Sequence, residues 1–194
     1  IPTGYVGLVG RVTYDWNDRY MVDFNVGYNG SENFAPERRF GTFPAGSVGW
    51  AVSEEDFFKP LKPVIEFLKL RASWGLVGSD KGVSRFYYTP DVYATTSDLL
   101  GGGGGYGYNF GIENGTTFPG AYESLKHNPN VGWEKSFKQN YGVDVNFFDN
   151  RLKTTFDYYK EHRTDILLTD QTAPILIGFK VPSANMGIVD SWGW

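Results

Sequence analysis

Side chains alternate from Arg19 to Tyr28. Tyr20, Val22, Phe24, Val26 and Tyr28 are apolar or aromatic, whereas Arg19, Asp23, Asn25 and Gly27 between them are polar or tiny, with Met21 the exception. A period of two is the signature of a strand with one greasy and one wet face. Taken alone, the stretch fits a soluble sheet equally well, since such a sheet buries one face and wets the other. The spacing of its repeats decides between them.

The alternation recurs over 5–15, 42–52, 68–77, 133–148 and 152–168, and begins again near Asn185. Short polar turns, Trp16-Asn17-Asp18 and Asp149-Asn150-Arg151, join some of these runs. Longer connections of about 29–41, 53–67, 78–132 and 169–184 join the others. Tight turns alternating with long, aromatic-rich loops are the anatomy of an outer-membrane β-barrel, in which the apolar face meets lipid and the polar face lines a lumen. Aromatics at 18% and 25 glycines suit ring girdles and tight turns. The negative mean hydropathy of −0.36 does not argue against a barrel, because half of each strand faces water. No apolar run is long enough for a transmembrane helix.

Register can be weighed by energy. Slipping the 19–28 strand by one residue would turn Arg19, Asp23 and Asn25 toward lipid, and an Arg at the midplane costs roughly 2–4 kcal/mol. Lys135 and Lys160 fall on nominally lipid-facing positions, far from the tight turns, where strands projecting beyond the bilayer would place them in water. Between 45 and 51 the polar-face residues Ala45, Ser47, Gly49 and Ala51 are all small, which leaves room for something inside the sheet. Ser53-Glu54-Glu55-Asp56 reads as a solvated helix start that Pro60 and Pro63 break.

Other classes of function find little support. A net charge of −4 disfavours a nucleic-acid surface. The absence of cysteine removes disulfide scaffolds and thiolate metal sites. Gly102 to Gly107 fits G-x-G-x-x-G literally but lacks the strand–helix setting of a dinucleotide site, so it reads as a flexible hinge. His127 and His162 lack ligand spacing. No nucleophile–base–orienter set stands out, and neither catalysis nor a cofactor is expected. The loop aromatics carry the stronger functional signal, since flat rings with polar tips stack on sugars or grip peptide side chains. Tyr106, Tyr108, Phe110 and Tyr122 flank the glycine run and are the candidate substrate-binding residues.

With these pieces in order, the chain resembles the SusC/RagA family of TonB-linked outer-membrane transporters nearly end to end. The resemblance rests on Asp18-Arg19-Tyr20, Asn29-Gly30-Ser31 with Phe34, Phe43-Pro44 through Gly49-Trp50, Ser53 to Phe57, Leu68 to Arg71 with Ser73, Gly75 and Gly78, and Asn128-Pro129 with Trp133-Glu134-Lys135. Gly142-Val143-Asp144, Asn150-Arg151-Leu152, Asp157-Tyr158-Tyr159, Thr164 to Leu167 and Asn185-Met186-Gly187 extend it. Tyr28-Asn29 and Ala45-Gly46 depart from the family pattern in loop detail. The resemblance implies about seven antiparallel strands of a barrel of about 22, with the plug absent. It implies a SusD-like surface lipoprotein and TonB as partners, and oligosaccharide or oligopeptide as cargo. The chain opens on Ile1-Pro2-Thr3 and ends at Trp194 inside an alternating run, so the expectation is one barrel segment over 1–194. The competing expectation is a soluble carbohydrate-binding β-sandwich, which would cover the apolar face with a second layer.

Overall fold

The computed structural model describes residues 4–83, 85, 87–89, 92–96, 108–110, 116–118, 120–125, 127–148, 150–169 and 181–194. Seven long strands make one sheet: β1 (Tyr5–Trp16), β2 (Tyr20–Ser31), β3 (Phe40–Ala51), β4 (Ile65–Ser79), β9 (Glu134–Phe147), β10 (Leu152–Leu168) and β11 (Ala184–Gly193). Their spatial order is β1-β2-β3-β4-β9-β10-β11, every neighbour antiparallel. Each alternation in the sequence is thus a strand.

The exposure pattern is that of a soluble protein turned inside out. Along β2, Tyr20, Val22, Phe24 and Tyr28 are exposed, while Met21, Asp23, Asn25 and Gly27 between them are half-buried. Phe24 stands 52% exposed and Val22 45%. On the same face, Val12, Val48, Leu70, Trp74, Tyr141 and Phe156 are also exposed. Leaving such side chains in water forgoes about 1.5–3 kcal/mol each, so this face is stable only against hydrocarbon. The β-sandwich expectation fails here, because among the described residues nothing lies over the apolar face. Val143 and Val145 also keep intermediate exposure.

The β1–β2 hairpin turns through Asn17, Asp18 and Arg19, between the paired Trp16 and Tyr20. Asn17 and Asp18 both take positive φ, at 55° and 56°, and Arg19 N donates to Trp16 O at 3.0 Å. That backbone matches the twist of the flanking strands and favours Asn and Asp over other side chains. The Asp15 carboxylate accepts from Asp18 N at 3.0 Å and holds the turn closed.

Several boundaries differ from the sequence reading. β2 continues through Ser31, shortening the 29–41 connection, and β3 ends at Ala51. The 53–67 connection holds two 3-10 turns, Val52–Glu54 and Asp56–Leu61. The 78–132 stretch, read as irregular, contains two small antiparallel pairs: β5 (Val92–Thr96) with β8 (Gly120–Leu125), and β6 (Tyr108–Phe110) with β7 (Thr116–Phe118). Short strands of three to six residues leave too little alternation to stand out from a loop.

Pro44 lies inside β3 and has no N–H to offer. The β3–β4 ladder stops beside it, at Ala45↔Gly75. Above that point β4 leaves β3 and pairs only with β9, up to Ser79↔Glu134. β10 carries an irregularity between Arg163 and Ile166, where Asp165 takes a φ of 58°. The Asn185 amide donates to Asp165 O at 2.6 Å and pins that bulge.

Candidate functional site

Strand parity sends the charged side chains to the polar face, and register brings them together. Arg71 of β4 lies opposite Gly142 of β9, which lies opposite Asp157 of β10. The Arg71 guanidinium reaches Asp144 at 2.7 Å and Asp157 at 3.1 Å. Thr155 donates to Asp144 at 3.0 Å. Gly142 is what permits this cluster, because a Cβ there would sit 2.6 Å from Asp157 Oδ1 and 2.8 Å from Arg71 Cζ. Beside it, Arg11 pairs with Asp23, which also accepts from Thr13 at 3.2 Å and Asn25 at 2.5 Å. Further along, Glu161 accepts from Ser136 at 2.6 Å and Arg163 at 2.9 Å.

Partly exposed ion pairs of this kind contribute about 0–1 kcal/mol each, so stability alone does not account for so many. Between the clusters the floor is low: Ala45, Ser47, Gly49, Ser73 and Gly75 carry little side chain. Two adjoining hollows of about 460 and 430 Å³ result, flanked by Asp23, Lys69 and Arg71 in one and by Lys138, Tyr159 and Glu161 in the other. A surface of many donors and acceptors around small residues is suited to holding a polar chain by numerous weak contacts.

The two ends of the sheet are built differently. At the tight-turn end the rings of Trp16, Tyr20 and Trp50 form a row on the apolar face, with centroids 5.7 and 6.4 Å apart. Tyr20 Oη and Trp50 Nε1 both donate to the Glu55 carboxylate, at 2.6 and 3.1 Å, and Arg19 lies 3.7 Å from the same group. These donors, the Tyr20 hydroxyl first, hold the Glu55 carboxyl below the usual glutamate range against a smaller opposing effect of burial. Glu55 is therefore a fastening and not the solvated acid of the sequence reading. Lys59 likewise lowers Asp56.

At the loop end Tyr28 stacks on Phe40 at 5.2 Å on the apolar face. Phe34, fully buried, packs on Trp133 at 5.1 Å, and Phe43 meets Trp133 at 5.3 Å. The Phe43 ring occupies the space where a Gly78 side chain would stand. Asp80 accepts from Tyr5 at 2.8 Å, Ser31 at 2.7 Å and Asn33 at 3.0 Å. Asn185 closes the neighbouring rim by bonding both Gly132 N and Gly132 O, at 2.9 and 3.0 Å.

Of the sequence candidates, Tyr106 lies outside the described residues. Tyr108 and Phe110 sit at the two ends of β6, in register with Phe118 and Thr116, and Tyr122 of β8 pairs with Ala94. The backbone puts Tyr108 and Phe110 in one strand pair, β6–β7, and Tyr122 in the other, β5–β8. His162 Nδ1 lies 2.7 Å from Asp190. The Arg71 cluster, Glu55 and Asp80 were missed by sequence reasoning. The first could have been found by laying Arg71, Gly142 and Asp157 in register once β4, β9 and β10 were taken as neighbours.

A model of the family described as TonB dependent receptor-like, beta-barrel matches residues 2–194. The chain is 33% identical over 191 residues to TonB-dependent receptor P39 of Formosa agariphila, covering 96% of this chain and 16% of that protein. It is 32% identical over 189 residues to TonB-dependent receptor SusC of Bacteroides thetaiotaomicron, covering 97% and 18%. Among solved structures it is similar to the RagAB peptide importer in its closed-closed state, with a TM-score of 0.77 at 20% identity, over 98% of this chain and 19% of that one. The chain thus spans less than a fifth of each of these relatives.

Proposed function

The chain belongs to the TonB-dependent receptor-like β-barrel family, in its SusC/RagA branch, and from that premise we propose that it forms a stretch of wall in a transporter that imports oligosaccharides or oligopeptides. It is part of an outer-membrane β-barrel. The observation that carries the reading is the inverted sheet: large apolar side chains exposed on one face, an Arg–Asp network half-buried on the other. One face is built for lipid and the other for a polar solute or a plug. Short turns lie on the periplasmic side of such barrels and long loops outside. On that rule the Glu55 end faces the periplasm and the Asp80 end faces the medium.

In this reading a SusD-like lipoprotein delivers cargo to the outer loops. Tyr106, Tyr108, Phe110 and Tyr122 grip it, the polar wall passes it on, and TonB acts through a plug carried elsewhere in the protein. Cells producing the full-length transporter lacking residues 99–108 should lose most uptake of labelled oligosaccharide or oligopeptide, or lose docking of the lipoprotein. Unchanged uptake together with unchanged docking overturns the assignment of this loop.

A further inference from the structure

At the periplasmic end, Tyr20 and Trp50 lie on the lipid-facing side of the wall, and both point their polar tips at Glu55. The connection that Glu55 belongs to is therefore tied to rings on the outside of the barrel. It joins β3 to β4, two interior strands of the sheet, so neither free edge accounts for what it exposes. Phe58 is buried to 4% while its neighbour Phe57 stands 64% exposed, and Leu61 and Val64 are exposed beyond it. The patch continues into the next turn: Phe148 N donates to Val64 O at 3.2 Å, and Phe148 and Leu152 are both exposed. Just above Glu55, a groove of about 400 Å³ runs between Tyr20 and Trp50 over Val22, Val48 and Leu70. The exposed patch and this groove lie at the same end of the sheet, joined through Glu55, which takes hydrogen bonds from the Tyr20 and Trp50 that flank the groove.

The same connection carries paired charges, Lys59 with Asp56 at 2.8 Å and Lys62 with Glu54 at 3.5 Å. Exposed apolar side chains beside acid–ammonium pairs match a zwitterionic phospholipid, whose phosphate and ammonium meet opposite charge while its chains meet Phe57 and Leu61. We infer that residues 53–64 are an interfacial anchor, lying in the headgroup layer of the periplasmic leaflet against zwitterionic phospholipid. This rests on the barrel's place in the membrane and not on the transport reading.

The test uses the full-length transporter in vesicles of phosphatidylethanolamine and phosphatidylglycerol, with nitroxide labels on Phe57→Cys and Leu61→Cys. Phe24→Cys on the lipid face and Lys153→Cys near the periplasmic turn serve as benchmarks. The expected result is an oxygen-to-nickel-chelate accessibility ratio at 57 and 61 several-fold above that at 153, at a depth shallower than at 24. A ratio equal to that at 153 puts the segment in water and overturns the inference. Protection from both reagents means that protein covers it, which overturns the inference as well. Val64→Cys supplies the same reading should Phe57→Cys fail to show the heat-modifiable mobility of a folded barrel. Uptake by cells is a separate measurement, so loss of the anchor and loss of the transport reading remain distinguishable.

Discussion

Two carboxylates fasten the two ends of this sheet, and they do so from opposite sides and across different spans of chain. Glu55 collects Trp50 from five residues away and Tyr20 from 35, all on the lipid-facing side. Asp80 collects Ser31 from 49 residues away and Tyr5 from 75, on the polar side. The Phe34–Phe43–Trp133 cluster beside Asp80 is likewise assembled from distant parts of the chain, with Trp133 Nε1 donating to Arg39 O across 94 residues. The periplasmic end is local and thin, needing little more than one connection and a row of rings. The outer end is a small buried core, built where long loops must be held in place. Function that depends on loop position should therefore be sensitive to the outer core and tolerant of change at the periplasmic tie.

The largest effect is expected at the centre of that core. Phe34→Ala in the full-length transporter should cost about 3–5 kcal/mol, the usual range for a buried phenylalanine. It should appear as a lowered unfolding midpoint in heat-modifiable mobility and as faster proteolysis of the outer loops. A loss no greater than that of a periplasmic-tie variant would break the comparison.

Asp80→Ala comes next. Tyr5, Ser31 and Asn33 would each lose an acceptor, and stranded donors of this kind cost about 1–3 kcal/mol. Faster proteolysis should be confined to the loops that Asp80 joins; equal acceleration at the periplasmic turns would mean that Asp80 is not a local latch.

The smallest effect is expected for Glu55→Gln, and its dependence on pH is the informative part. Glu55 is held below the ordinary glutamate range in the folded protein. Its contribution is therefore fully present above that range and is lost as pH falls through the depressed value. Wild type and Glu55→Gln should differ near neutrality and converge in acid when their unfolding midpoints are measured against pH. A difference that grows on acidification reverses the sign and removes the Tyr20 and Trp50 tie as its cause.

The same contrast explains what could be read in the sequence. β10 was legible to both its ends, 152–168, through the alternation of Phe156 and Tyr158 with Lys153, Thr155 and Asp157. The fit weakens where lipid stops acting: β2 continues through Asn29 and Gly30 to Ser31, beyond the alternating run. Glu55 was within reach, lying five residues from its Trp50 partner, but a run of three acids reads as a solvated surface until the tips of Tyr20 and Trp50 are known to converge there. Asp80 and Phe34 were not within reach. Their partners are set by how connections fold back over one another, and no periodicity records that. Tyr108, Phe110 and Tyr122 fell in strands too short to alternate visibly, so their division between two strand pairs had no local signature either.

The two ring rows carry one more consequence. Tyr20 and Tyr28 are eight residues apart on β2, about 27 Å along a strand rising about 3.4 Å per residue. At a tilt of about 40° that becomes about 21 Å along the normal, against an apolar band of about 25 Å in barrels generally. A wall this short prefers a thin bilayer, and each additional ångström of hydrocarbon thickness costs a fraction of a kcal/mol. Lipid beside this stretch of barrel should thin to meet it, so that membrane thickness, set by acyl-chain length, becomes a variable to which the protein responds.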